Sequence, residues 1–141
     1  MTTARRFRKS SRGQALVEFA LVMPLLLILI IAVFEFGRAW NLHQTITDAA
    51  REGARKAVIA NNTVTQDSVI VAISGRVAAS AFDPASAAVS FPDGFHTGTN
   101  NITSVRIEYP FRFTFLRVLI GLLAGNDGVI TMATEARMRN E

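Results

Sequence analysis

Gly13–Phe36 reads GQALVEFALVMPLLLILIIAVFEF. From Phe19 to Phe34 no side chain is charged, and twelve of these sixteen residues are Leu, Ile, Val or Phe. Coiled as a helix, the greasy stretch Gln14–Phe36 is about 35 Å long, enough to cross a hydrocarbon core of about 30 Å. Those large apolar side chains contribute roughly −4 to −7 kcal/mol towards insertion. Glu18 opposes it by up to about 3 kcal/mol at mid-bilayer and by less near an edge, so insertion wins. Pro24 is expected to kink the helix and not to stop it, because backbone facing lipid has no better place for its hydrogen bonds.

The flank on the N-terminal side is cationic. Arg5, Arg6, Arg8, Lys9 and Arg12 are five of the fifteen basic residues, and the net charge is +4. From Gln14 onward ten basic residues face eleven acidic ones, so the remainder is near neutral. A cationic leader before an apolar segment is a topology signal that keeps the N-terminus cytoplasmic, not a nucleic-acid patch. Everything after about Arg38 is then expected outside. A removable secretory signal fits poorly, since Glu35, Phe36, Gly37 and Arg38 follow the run where small residues would be needed. An uncleaved signal anchor stays open on composition alone. There is no cysteine, which excludes disulfides and thiol chemistry.

The junction Arg12-Gly13-Gln14-Ala15-Leu16-Val17-Glu18-Phe19 narrows the choice. A glycine closes the leader, and a glutamate followed by an aromatic lies five residues beyond it. This resembles the type III signal sequence cut by prepilin peptidases, which implies cleavage between Gly13 and Gln14. Such a cut exposes a new α-amino group at Gln14, charged near neutral pH. Among parallel helices the carboxylate of Glu18 then has a partner in a neighbour's amine, and the pair fixes axial register more than it adds stability. The longer stretch from Gly13 to Ala60 is similar to the TadE-like family, pseudopilins of tight-adherence (Tad/Flp) pilus systems. The opening GQALVEFALVMPLLL, then Glu35-Phe36-Gly37-Arg38, then Asp48-Ala49-Ala50-Arg51-Glu52-Gly53-Ala54-Arg55 carry that resemblance over about a third of the chain.

Beyond the apolar run the helix is expected to continue over 38–60, ending at Asn61-Asn62. Ala49, Ala50, Gly53, Ala54 and Ala57 recur at helical steps and form a small-residue stripe, fit for close approach by the protein's own sheet or by a neighbouring helix. Asp48–Arg51, Glu52–Arg55 and Glu52–Lys56 have ion-pair spacing. A second helix is predicted over 66–82, with Ile70, Ile73, Val77 and Ala81 inward and Asp83-Pro84 as its stop. Then the period changes to two. Val105, Ile107, Tyr109, Phe111, Phe113 and Phe115 alternate with polar residues, predicting a half-buried strand over 104–115, with Pro110 marking an edge or a bulge. A strand over 128–138 places Ile130, Met132, Ala136 and Met138 inward. A weaker one covers 87–91 before the Pro92-Asp93-Gly94 turn, and Gly94–Asn101 is a loop. Leu116–Leu123 (LRVLIGLL) is either a short core helix or a partner-facing patch.

The expected organisation is a leader over 1–13, a transmembrane helix over 14–37 and an extracytoplasmic α+β domain over 38–141. That domain is of the type IV pilin-like kind, with a second helix and a small antiparallel sheet. Nothing points to an enzyme. His43 and His96 lack ligand spacing, and no nucleophile motif or phosphate-cradling loop is present, so no catalytic, metal or cofactor residues are expected. The resemblance implies a minor pilin of the bacterial inner membrane, with the lipid bilayer, a prepilin peptidase, other pilins and pilus assembly proteins as partners, and a role in adhesion or biofilm. The alternative is an uncleaved single-pass membrane protein whose outer domain binds a ligand or partner.

Overall fold

The computed structural model describes residues 11–59, 64–95, 102–125 and 127–139. The elements run α1 (Ser11–Ala57), α2 (Gln66–Ala79), a 3-10 turn (Pro84–Ser86), β1 (Ala88–Ser90), β2 (Ile102–Arg112), α3 (Arg117–Ala124) and β3 (Val129–Arg139). The fold is α+β: a long N-terminal helix, a second helix and an antiparallel sheet in the order β1-β2-β3.

α1 is a single helix of 47 residues that contains Pro24 without ending there. At 1.5 Å per residue it is about 70 Å long. The two halves do different work. The apolar half is exposed along most of its length, with Ile31 and Ala32 half-buried near its end and Leu21 and Leu25 among the least covered side chains. The second half is one wall of the core, through Ala39, Leu42, Ile46, Ala49, Ala50, Ala54 and Ala57 at three- and four-residue steps. The helix ends at Ala57, before the expected Ala60, with Arg55 and Lys56 in a last turn where cations oppose the helix dipole. The proposed stop at Asn61-Asn62 lies outside the described residues.

α2 begins at a reciprocal cap. Thr65 Oγ1 accepts from the Ser68 N–H at 3.2 Å, and the Thr65 N–H donates to Ser68 Oγ at 3.1 Å. Val69, Ile73 and Val77 form its buried face against α1. The small-residue stripe of α1 is therefore filled from within the chain. A Cβ at Gly53 would lie 2.8 Å from Ile73 Cδ1, so a larger residue there obliges the Ile73 side chain to shift. The helix stops at Ala79, short of 82. Ala81, expected on the buried face, is exposed and takes a left-handed backbone with φ 61°, which breaks the helix. On the outer face of α1, Asp48–Arg51 and Glu52–Lys56 pair at 3.8 and 3.2 Å. Among the described residues Glu52 does not pair with Arg55.

β2 is the central strand, not an edge. β1 pairs only with residues 106–108 of it, in the register Ala88↔Glu108 and Ser90↔Arg106. Pro110 thus sits where β2 has lost its β1 neighbour, opposite Thr131 of β3, and its missing N–H breaks nothing on the open side. Val105, Ile107, Tyr109, Phe111 and Phe113 are buried, as the alternation predicts, but Phe115 is exposed. The strand ends at Arg112 rather than at 115. Beyond it the Phe113 N–H goes to the Gly128 carbonyl, and the next two N–H groups turn away to a side chain of α1. β3 turns Met132, Ala136 and Met138 towards the core. Ile130 keeps the same alternation but lies at the uncovered end of the sheet and is exposed. Leu116–Leu123 is helical, yet only half of it behaves as core: Leu116 and Ile120 pack inward while Val118, Leu122 and Leu123 face out.

Candidate functional site

The residues singled out from sequence lie in the first turns of α1. α1 is described from Ser11 onward, so the Gly13–Gln14 bond lies within helix. Gly13 costs the helix about 1 kcal/mol relative to alanine. Arg5, Arg6, Arg8 and Lys9 lie outside the described residues.

Glu18 is exposed on the apolar half and accepts a hydrogen bond at 3.1 Å from Gln14 Nε2, one turn earlier. The chain thus brings Gln14 and Glu18 onto one face. In lipid, a single amide donor covers only part of a carboxylate's capacity to accept, so Glu18 retains a strong demand for a cation. Phe19 beside it is exposed. Around these residues the whole surface is aliphatic, suited to lipid or to other helices of the same kind.

A second constellation, at the other end of the apolar segment, was missed as a site from sequence. Glu35 served there as the end of the apolar run and as part of the Glu35-Phe36-Gly37-Arg38 stretch that carries the resemblance, with no role of its own. In the structure it is fully buried. Its Oε1 accepts from the N–H groups of Thr114 and Phe115 at 3.0 and 2.9 Å, and its Oε2 accepts from Arg38 Nη1 at 3.1 Å. Arg38 also donates to Thr114 Oγ1 at 2.9 Å and lies over the Phe111 ring, 5.4 Å from its centroid. Phe36 meets Phe113 edge to face at 6.3 Å. One carboxylate and one guanidinium therefore clasp the end of β2 to the place where α1 becomes polar. The readable signal was an acid three residues before an arginine at the close of an apolar run.

The helix is long and apolar enough to span a membrane, and its most apolar stretch is unburied by the rest of the protein. Residues 13–55 match the family model described as TadE-like protein. That match begins at Gly13 and takes in Glu18, the Glu35–Arg38 clasp and the small-residue stripe as far as Ala54. No curated protein and no solved structure matches the chain.

Proposed function

We propose that this chain, whose N-terminal helix matches TadE-like proteins, is a pilin-like subunit of a tight-adherence system. In this reading α1 inserts into the inner membrane with the basic leader on the cytoplasmic side. A prepilin peptidase cuts between Gly13 and Gln14. The shortened chain then enters, or primes, a filament that serves adhesion. The observation that carries the reading is the family match beginning at Gly13, on a helix that puts Gln14 and Glu18 on one face. Once the leader is gone, Gln14 carries a cationic amine at the rim of the bilayer. Among packed parallel helices, Glu18 exchanges the weak amide donor of its own chain for the amine of a neighbour. A misregistered neighbour leaves the carboxylate unpaired in hydrocarbon, which costs several kcal/mol. The pair thereby selects one axial offset between subunits.

The test is the mass of the N-terminal peptide after expression with a prepilin peptidase. The expected product begins at Gln14. Gly13→Leu is expected to leave insertion intact and to abolish processing, because a bulky side chain fills the space beside the scissile bond. Recovery of a chain that still begins at Met1, with the peptidase active on a control substrate, would replace this reading with that of an uncleaved membrane anchor whose outer domain binds a partner.

A further inference from the structure

After Arg117 at its start, α3 carries only apolar residues and a glycine, reading RVLIGLLA. A helix of that kind is normally buried on every side. Here Leu116 and Ile120, one turn apart, reach the core. The other face is open: Phe115, Val118, Leu122 and Leu123 are 61%, 80%, 83% and 77% exposed. Residues 115, 118 and 122 fall on one helical stripe and 123 flanks it. Beside this stripe, exposed Arg112 and Arg117 line a recess with Phe113, Asp127 and Val129. Gly128 permits the return to β3, since a Cβ there would lie 3.2 Å from the Arg117 Cα.

The height of this patch is set by the Glu35 clasp. The Phe115 N–H is 2.9 Å from Glu35 Oε1, so α3 begins level with residue 35 of α1. Glu35 is the first charge after the uncharged run and lies about 33 Å along the helix from Gly13, which is the thickness of a hydrocarbon core. Trp40, 67% exposed, stands a further ~7 Å out, at the level where tryptophan accumulates in headgroups. The unpartnered face of α3 is thus carried to the edge of the bilayer by the segment that crosses it.

We propose that α3 and Phe115 form an interfacial anchor. Phe115, Val118, Leu122 and Leu123 sit in the boundary between headgroups and acyl chains of the outer leaflet, and Arg112 and Arg117 face lipid phosphates. The occupant is lipid and not a second copy of the chain, because four exposed side chains fall far short of the roughly 20–30 residues a side of a stable protein interface. This anchor gives the outer domain one orientation on the membrane and resists the subunit's withdrawal from it. The inference rests on α1 spanning the bilayer but not on cleavage at Gly13.

The chain lacks cysteine, so single positions can be labelled without background. Full-length Leu27→Cys, Leu122→Cys and Val71→Cys proteins carry an environment-sensitive fluorophore in phosphatidylcholine–phosphatidylglycerol vesicles. All three positions are exposed in the structure, so the labels disturb no packing. Leu27 reports on the span itself, and Val71, on α2, reports on solvent. Lipids with a quencher near the top of the acyl chain are expected to quench the Leu122 label at least about threefold more than the Val71 label. A Leu122 label quenched by aqueous iodide as readily as Val71, with Leu27 lipid-quenched, would overturn the anchor while leaving the span. A Leu122 label shielded from both quenchers would overturn it in favour of a protein partner. A Leu27 label that lipid does not quench removes the span and the anchor together.

Discussion

Glu35→Ala is expected to be the most damaging single truncation in the junction between membrane segment and domain. It removes the acceptor of two backbone N–H groups, at Thr114 and Phe115, and of one Arg38 hydrogen bond. An unsatisfied buried donor costs about 1–3 kcal/mol. Thr114 and Phe115 themselves are exposed, so water reaches part of what is lost, and the lower figure applies to each. With the charge-assisted contact to Arg38 the total comes to about 3 kcal/mol, the low end for breaking a buried ion pair. For a domain of about 100 residues that is a fall in Tm of at least about 12 °C. The assay is thermal melting of the full chain in detergent micelles by near-ultraviolet circular dichroism. Amide exchange of peptides spanning 111–118 supplies the local readout. Glu35→Gln is expected to lose about half as much: its amide oxygen still serves the two N–H groups, but its NH2 confronts the Arg38 donor. A Glu35→Ala protein within about 0.5 kcal/mol of the parent, with unchanged exchange at 114 and 115, would refute the clasp.

Three further outcomes are expected. Gly53→Val drives a branched side chain into Ile73 and is expected to cost about 2–3 kcal/mol, whereas Gly53→Ala combined with Ile73→Val, which removes Cδ1, is expected to be about 1 kcal/mol more stable than the two single changes predict; a purely additive pair in a denaturant double-mutant cycle would count against the crossing. Ala81→Gly relieves the left-handed backbone and is expected to stabilise by about 0.5–1 kcal/mol, so a lower Tm would show that Ala81 is not strained. Glu18→Ala is expected to leave the membrane-fraction yield unchanged and to lower the amount of assembled filament sheared from cells about tenfold or more; undiminished filament yield would remove the register role of Glu18.

Much of the architecture was legible because periodicity is a strong signal. The apolar run marks a segment that the rest of the protein leaves uncovered, and the small-residue stripe and the alternation from Val105 to Phe113 each fix which face turns inward. What sequence could not supply was pairing. Pro110 suggested an edge position or a bulge, and it does face an open side, but the strand that carries it is the central one, because β1 pairs only with residues 106–108. Phe115 continued the alternation, but Glu35 captured the two N–H groups that would have extended the ladder. Ala81 fitted the helical period and was lost to a left-handed turn, which no local residue preference announces in alanine. Gly13, Gln14 and Glu18 were legible as a pattern, and the structure adds the hydrogen bond between Gln14 and Glu18. Glu35 was visible as a charge at a boundary, three residues before Arg38, but the two backbone N–H groups it accepts from lie 79 and 80 residues further along the chain.

α1 has no joint between its apolar half and the part that walls the core. From Glu35 to Ala57 it acts as an arm of about 33 Å fixed to its own base. Transmembrane helices tilt by about 20° on average, and a lean of that size swings the far end of the arm by about 11 Å. With the apolar half in a bilayer, the outermost surface of the protein is steered from below: whatever crowds the apolar half aims the other.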